Sequence, residues 1–393
     1  MRILIVGSGG REHALAWALR KNATKPSEIL CAPGNAGVAQ VAERVRVKTD
    51  DIGGLAKFAE ESRIDLTVVG PEAPLAAGIV EEFEQRGLRI VGPGREAARL
   101  ESSKAFAKDF MSRHRVPTAR YGIATSPDEA IEILQSGEFG GEETSIVVKA
   151  DGLAAGKGVV VAPSRSKAVQ AVRELAGGAV SAEAVNRIVI EEALSGREVS
   201  LLLFSDGKDF RLMPAARDHK RVGENDTGLN TGGMGSITDG SVLDDAMRDN
   251  IVRDIVEPTL QGARDEGFPF RGILFIGLML TADGPRVLEY NVRFGDPETQ
   301  AILVRLRSDL AQIFAAITEQ RLGELEIDWS GDSSACLVLA SRGYPGPPET
   351  GAQIEGLDLA LTRCYEAIAD IDWDGMHYRR DIGRNPELRA RVS

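Results

Sequence analysis

Residues 146–162 read IVVKADGLAAGKGVVVA: two apolar, β-branched runs around a segment of small residues and two lysines. Val and Ile suit a pleated strand, and two such runs joined by glycine-bearing chain predict a hairpin. The strands are expected at Ile146–Lys149 and Gly158–Ala162, with the loop between them. The loop is not a Walker phosphate loop. Only three residues separate Gly152 from Gly156, where four are needed, and Gly158 stands where Ser or Thr is required. Small residues and two lysines still suit a flap over a polyphosphate, gripped by backbone N–H groups and ammonium charge. The plainer alternative is a solvated hairpin tip.

Working outward, residues 118–295 keep this character. A second strand pair is expected at Ile188–Glu192 and Glu198–Phe204, with helices at Pro127–Gln135 and Ser166–Ala176. That mixture predicts an α+β domain. Upstream the pattern differs. Strands at Ile3–Val6, Ile29–Ala32, Leu66–Val69 and Arg89–Val91 alternate with helices at Glu12–Lys21, Gly54–Ser62 and Ala76–Arg86. Strand, glycine turn and helix in repetition predict an open parallel α/β sheet. Ligands of such sheets sit at the carboxyl ends of the strands, here Gly7–Gly10, Pro33–Gly37 and Gly70–Pro74. Ser102 or Ser103 caps a further helix that runs to about Arg113 and stops before Pro117. Downstream, residues 325–393 form a small third unit with one clear strand at Ala335–Ala340.

Three further stretches carry chemistry. In RVLEYNVRFG (286–295), residues two apart share a face of a strand. Leu288, Tyr290, Val292 and Phe294 are expected on one face, and Val287, Glu289, Asn291 and Arg293 on the other. Glu289 and Asn291 are hard oxygen donors suited to Mg²⁺, and Arg293 suits an anion. An ordinary amphipathic strand is the plainer alternative. Residues 217–235 are too charged and glycine-rich for a regular element and are expected to form a long loop, a lid bringing Lys220 and Arg221 to phosphates. GSGGRE (7–12) is only part of a dinucleotide fingerprint, so an oxidoreductase is disfavoured; its helix N-terminus can accept another phosphate.

Composition narrows the classes. With 47 Lys+Arg against 59 Asp+Glu, the net charge is −12, which argues against a nucleic-acid or membrane-surface binder. Glycine, 43 of 393 residues, is above the usual about 7% and marks turns of close approach. Three scattered cysteines and four histidines form neither CxxC nor HExxH, which fits a reducing cytoplasm. No apolar run reaches the roughly 18 residues of a membrane helix, and the amino-terminal run is too short for a targeting peptide. No nucleophile elbow or Cys/His pair appears, so positioning and charge neutralisation are favoured over covalent catalysis.

With these residues in view, the chain resembles the phosphoribosylamine–glycine ligase family of ATP-grasp enzymes. The matching stretches are GGREHALAWAL (9–19), APGNAG (32–37), VVGPEAPL (68–75), SKAF (103–106), VKADGLAAGKGV (148–159), DHKRVG (218–223), NTGGMG (230–235) and NVRFGDPETQ (291–300). The resemblance implies an N-terminal parallel α/β domain (1–100) and an ATP-grasp domain of two α+β subdomains (101–324, with 118–192 as mobile flap). It also implies a small C-terminal α+β domain (325–393). It implies ATP with Mg²⁺ or Mn²⁺, and the substrates glycine and 5-phosphoribosylamine. A cytoplasmic monomer or weak homodimer is expected, with neither nucleic acid nor membrane as partner.

Carried over by position, Lys104 and Lys149 would meet ATP phosphates under a flap containing Gly152, Gly156, Lys157 and Gly158. Glu191, Glu192 and Leu194 would meet adenine, Glu198 the ribose, and Glu289 with Asn291 the metal. Asp218, Lys220 and Arg293 are the implied catalytic residues. Gly232, Gly233, Met234, Gly235, Asp296, Pro297 and Glu298 would line the substrates. Gly9, Gly10, Asn35, Gly37, Glu72 and Pro74 would help hold the amine. The implied chemistry is attack of glycine carboxylate on the γ-phosphate, then attack of the amine on glycyl phosphate. One departure stands out: near Leu359–Leu361 the chain lacks a few tens of residues that the family carries. Two alternatives follow, a ligase for another carboxylate–amine pair and an ATP-binding homologue without catalysis.

Overall fold

The computed structural model describes residues 1–152, 158–179, 186–347 and 349. Met1–Val338 form one compact unit and Leu339–Ser393 a second. In the second, Gly343 turns the chain with φ +94° and the Glu349 amide donates to Arg342 O. Gly156, Lys157 and the junction near Leu359–Leu361 lie outside the described residues.

The amino-terminal strands β1 (Arg2–Gly7), β2 (Glu28–Pro33), β3 (Glu43–Arg44), β4 (Leu66–Val69) and β5 (Ile90–Val91) form a parallel sheet. Their order is β3-β2-β1-β4-β5. Both faces of β1 are buried: Ile3 and Ile5 join one apolar cluster, Leu4 and Val6 the other. This is why the run is continuously apolar rather than alternating. The chain order reverses between β1 and β4, so the crevice beyond Gly7 and Gly70 is the natural ligand position.

Helices α1 (Gly10–Lys21), α2 (Ile52–Glu61), α3 (Glu72–Ala77), α4 (Ile79–Gln85) and α5 (Arg95–Ser102) accompany this sheet, and α6 (Lys104–Arg113) follows. Asp51 caps α2 through the Gly54 amide, and Ser103 caps α6 through the Phe106 amide. The single helix expected at Ala76–Arg86 is instead two, α3 and α4. Gly78 breaks it at φ +92°, a conformation that only glycine adopts without strain.

The next strands are β6 (Tyr121–Ala124), β7 (Ile146–Ala150), β8 (Val159–Ala162) and β9 (Ile188–Glu192). They form an antiparallel sheet ordered β6-β9-β7-β8, backed by α7 (Pro127–Gln135) and α8 (Arg165–Glu174). It has its own core around Leu134, Phe139, Ile146, Val148, Val172 and Ile190. The runs expected at Ile146–Lys149 and Gly158–Ala162 pair with each other as β7 and β8. The second expected pair does not form: β9 lies in this sheet, while β10 (Arg197–Asp206) enters another. Residues 193–196 carry the chain between two sheets, so sequence adjacency misleads there.

That other sheet is ordered β11-β10-β16-β17, with β11 at Phe210–Leu212, β16 at Arg271–Thr281 and β17 at Gly284–Asn291. The segment 217–235 is not structureless, contrary to expectation. It contains β12 (Arg217–Asp218), then β13 (Arg221–Gly223) and β14 (Thr227–Asn230), and leads into β15 (Gly235–Thr238). Asn225 and Asp226, both near φ +55°, close the β13–β14 hairpin. Two left-handed residues are what a tight hairpin turn needs. Arg221 ties this hairpin through Gly228 O and does not line the cavity described below.

Helices α9 (Asp245–Ile251) and α10 (Glu257–Asp265) lead to β16 (Arg271–Thr281) and β17 (Gly284–Asn291). Then come α11 (Glu298–Leu303), α12 (Leu310–Glu319) and β18 (Ser334–Leu337), the last paired with β15. Among the described residues no helix is long and apolar enough to cross a membrane.

Gly272 opens β16 at φ +115°, where an added Cβ would stand 2.9 Å from Gly92 Cα. Gly272→Ala is therefore expected to cost more than about 2 kcal/mol through strain and displaced backbone. Gly267→Ala, also left-handed but with open space around it, should cost only about 1 kcal/mol. Thermal midpoints of the two variants check this, and equal midpoints would refute the close approach.

Candidate active site

A cavity of about 400 Å³ opens where β17, the root of the β7–β8 hairpin, α6 and the ends of the amino-terminal strands converge. Its shape depends on a bulge in β17. Gly277 pairs with Glu289, but Leu278 pairs with Val287, so Leu288 is an extra residue. The expected strict alternation therefore fails. Val287 packs in the core with Tyr290 and Val292, while Leu288 and Glu289 both line the cavity. Asn291 and Arg293 line it too, so the polar residues of the stretch converge as expected while Val287 does not.

One wall carries lysines. Lys149 donates to Leu288 O at 3.0 Å and meets Glu191 Oε1 at 2.7 Å. Lys108 meets Glu191 Oε2 at 2.9 Å. All three side chains are buried. Burial, with Lys149 beside it, pushes the Lys108 ammonium down to about 8. Lys104 donates to Gly152 O at 2.8 Å, and burial lowers its pKa. Asp151 accepts from Ser103 Oγ and the Ala105 amide, fastening the hairpin root to the start of α6.

Glu289 faces these cations. Burial pushes its carboxyl up, but Lys220, Lys149, Lys104 and Arg293 prevail and hold it below the usual carboxylate range. Lys220 lies 3.6 Å from Glu289 and 3.9 Å from Glu198. Burial works against its charge, yet Glu289, Glu198, Asp218 and Glu298 keep its pKa above the ordinary lysine value. Glu289 and Asn291 offer one carboxylate and one amide oxygen. Among the described residues no group of three or more His, Cys, Asp or Glu forms a metal cage. That donor set fits an ion such as Mg²⁺, which takes one or two protein oxygens and completes its shell with phosphates and water.

Arg293 is committed to protein partners, so the free anion clamp expected from sequence is not what the structure shows. Its Nη2 meets Glu101 Oε1 at 3.0 Å and Asn291 Oδ1 at 3.2 Å; its Nε meets Glu72 Oε2 at 3.4 Å. Glu101 also accepts from the Val292 amide at 2.7 Å. Arg293 thus ties β17, α5 and α3 together. Arg11 and Arg293 both donate to Phe294 O, and Arg11 also holds Glu12, whose carboxylate packs under Gly7 and Gly70.

The opposite wall carries Asp218 and Glu298. Burial, then the charge of Glu298, raises the Asp218 carboxyl to about 7; burial raises Glu298 as well. Glu298 accepts from Ser200 Oγ, whereas Asp218 Oδ1 is buried without a hydrogen-bond partner. Gly233, at φ +127°, lets its loop approach Asp218 and Pro297 more closely than any Cβ would allow.

Of the other expected residues, Glu72, Gly152, Gly158, Glu191, Gly232 and Asp296 line the cavity. Glu192, Leu194 and Glu198 do not; Glu192 instead accepts from the Arg120 amide. Gly9 and Gly10 abut Asp296 and Gln300 of the neighbouring segment. Asn35 donates to Ser8 O in the turn after β1 and accepts from the Val38 amide, and Gly37 packs on His13. Pro74 is buried within α3, Met234 bonds His219 O, and Gly235 pairs in β15. Sequence reasoning missed Lys108, Glu101 and Asp151. Lys108 had a signal, being four residues after Lys104 on one helix face.

Asp218→Asn tests the acidic wall. A carboxyl with a raised folded pKa holds a proton that the unfolded chain has lost, so it costs stability as pH rises from about 4 to about 7. The Asn variant should lack this contribution. Its thermal midpoint should gain on the parent between pH 4 and pH 8, and parallel profiles would refute the shift.

Residues 1–101 match the family model described as phosphoribosylglycinamide synthetase, N domain, and 102–299 match its ATP-grasp (A) domain. The chain is 48% identical over 361 residues to a phosphoribosylamine–glycine ligase of Xanthomonas axonopodis pv. citri, covering 91% of this chain and 82% of that one. It is 42% identical to the ligase of that name from Haemophilus influenzae, covering 98% of each chain. The 425 aligned positions exceed the chain's 393 residues, so that relative carries residues which this chain lacks. A crystal structure of phosphoribosylamine–glycine ligase from Thermotoga maritima superposes with TM-score 0.76 at 31% identity, over 97% of this chain and 100% of that one.

Proposed function

The chain belongs to the phosphoribosylglycinamide synthetase family, ATP-dependent carbon–nitrogen ligases of purine biosynthesis, and we propose that the cavity between β17 and α6 is where it joins glycine to 5-phosphoribosylamine. The observation that carries this reading is the lysine wall facing Glu289 and Asn291, which suits a polyphosphate with a divalent cation. Other carboxylate–amine pairs and an inactive homologue are less favoured, because the relatives bear the ligase name.

In this reading Lys104 and Lys149 hold the ATP phosphates. Glu289 and Asn291 hold Mg²⁺ or Mn²⁺, which when bound withdraws charge from the transferring phosphoryl group. Arg293 orients Asn291 by donating to its oxygen. The glycine carboxylate attacks the γ-phosphate, giving glycyl phosphate and ADP. The substrate amine then attacks the acyl carbon, phosphate leaves, and the nitrogen gives up a proton. The Asp218–Glu298 pair, both of whose carboxyls burial raises, is placed to take that proton. Glycyl phosphate hydrolyses in water, which gives the β7–β8 hairpin and the β13–β14 hairpin a purpose as covers. A net charge of −12 supports an enzyme of small molecules rather than a nucleic-acid binder.

The test is ADP release from ATP, Mg²⁺ and glycine, with and without freshly prepared phosphoribosylamine. ADP that appears only with both substrates supports the ligase. ATP binding without ADP under any combination favours the inactive homologue.

A further inference from the structure

Lys108 is a fully buried lysine that the mechanism above does not use. It projects from α6 one turn after Lys104, toward the same wall. Its ammonium meets Glu191 on β9 and donates to Thr118 Oγ1 at 2.7 Å; Thr118 in turn donates to Val287 O. Lys149 on β7 takes the other Glu191 oxygen and donates to Leu288 O. Two ammonium groups therefore share one carboxylate, and both lines of contact end on consecutive carbonyls of the β17 bulge.

Charge counting gives this arrangement a consequence. Glu191 with Lys149 alone would be a neutral pair, able to close with both oxygens on one ammonium. With Lys108 on Oε2, Glu191 offers Lys149 a single oxygen, and the buried trio keeps one net positive charge beside the cavity. Glu289, which also faces Lys149, offsets part of that charge, and a bound polyphosphate would complete it.

We propose that Lys108 is a positioning residue for ATP: by occupying one oxygen of Glu191, it leaves Lys149 aimed and charged for the nucleotide phosphates. The inference rests on the reading of this cavity as the ATP site. It assigns Lys108 no contact with the nucleotide; its effect passes through Glu191.

The experiment measures ATP and adenosine binding by calorimetry, together with steady-state kinetics, for the parent, Lys108→Met and Lys108→Arg. In Lys108→Met, ATP affinity should fall about 10- to 100-fold, the range of a charge-assisted contact, while adenosine affinity stays within about threefold. The KM for ATP should rise by a similar factor with kcat at saturation little changed. Lys108→Arg, which keeps the charge, should restore ATP binding to within about fivefold of the parent. Parent-like ATP affinity in Lys108→Met, or equal losses for ATP and adenosine, would overturn the proposal. If Lys108→Met does not fold, Lys108→Gln is read the same way. Failure of both to fold beside a folded Lys108→Arg assigns a purely structural role and also overturns it. A parent that binds no ATP would instead refute the nucleotide site itself.

Discussion

Glu289→Gln is expected to lower ATP turnover by about 10³-fold, the upper end of what loss of one preorganised hydrogen-bond donor costs. The substitution keeps shape and packing and removes only charge. Glu289 faces Lys220, Lys149, Lys104 and Arg293, which hold its carboxyl below the usual range despite burial. It is therefore charged at every working pH. Removing that charge has two effects on the proposed chemistry. The divalent cation loses its anionic protein ligand, leaving the Asn291 amide oxygen. The four cations around the cavity also lose the carboxylate that balances them. Turnover measured against Mg²⁺ concentration separates the effects, because a weakened metal site shifts the midpoint and excess metal recovers part of the rate. An unchanged rate with an unchanged midpoint would remove Glu289 from the site.

Much of this was legible beforehand because local rules and tertiary structure agree. The β1 run Ile3–Val6 is apolar throughout because a parallel strand is covered on both faces. The 146–162 hairpin is readable because its β-branched strands pair with each other. That Glu289 and Asn291 line one cavity is readable because two-residue spacing survives on that side of the bulge.

Three misreadings share a cause: one or two residues change the geometry where pattern rules assume continuity. Leu288 is one extra residue in β17, and it moves Val287 from the expected polar face into the core. Gly78 is one left-handed residue, and it cuts a helix in two. Asn225 and Asp226 turn an apparent loop into a hairpin. Partners far apart in sequence were unreadable for another reason. Glu101 and Arg293 are separated by 192 positions, and no local period records that they meet. The same holds for Lys108 and Glu191.

Arg293→Met is expected to carry the largest stability loss, about 3–5 kcal/mol, the range for breaking a buried ion pair from one side. It leaves Glu101 and Glu72 facing each other without the guanidinium between them. The size of the loss depends on pH. Burial already raises the Glu101 carboxyl, and Arg293 is the strongest influence pulling it back down. Without Arg293 the folded pKa rises further above the unfolded value. A group shifted that way costs stability increasingly as pH climbs from its unfolded pKa toward its folded one. The thermal-midpoint deficit of Arg293→Met against the parent should therefore be larger at pH 8 than at pH 5.5, and equal deficits would refute the charge argument. Adding Glu101→Gln should recover part of the stability at pH 8, since it deletes the stranded charge. It should not recover turnover, because Asn291 Oδ1 still lacks the donor that orients it. Stability and activity would then separate at one residue, as required of a guanidinium that both neutralises a buried acid and aims a proposed metal ligand.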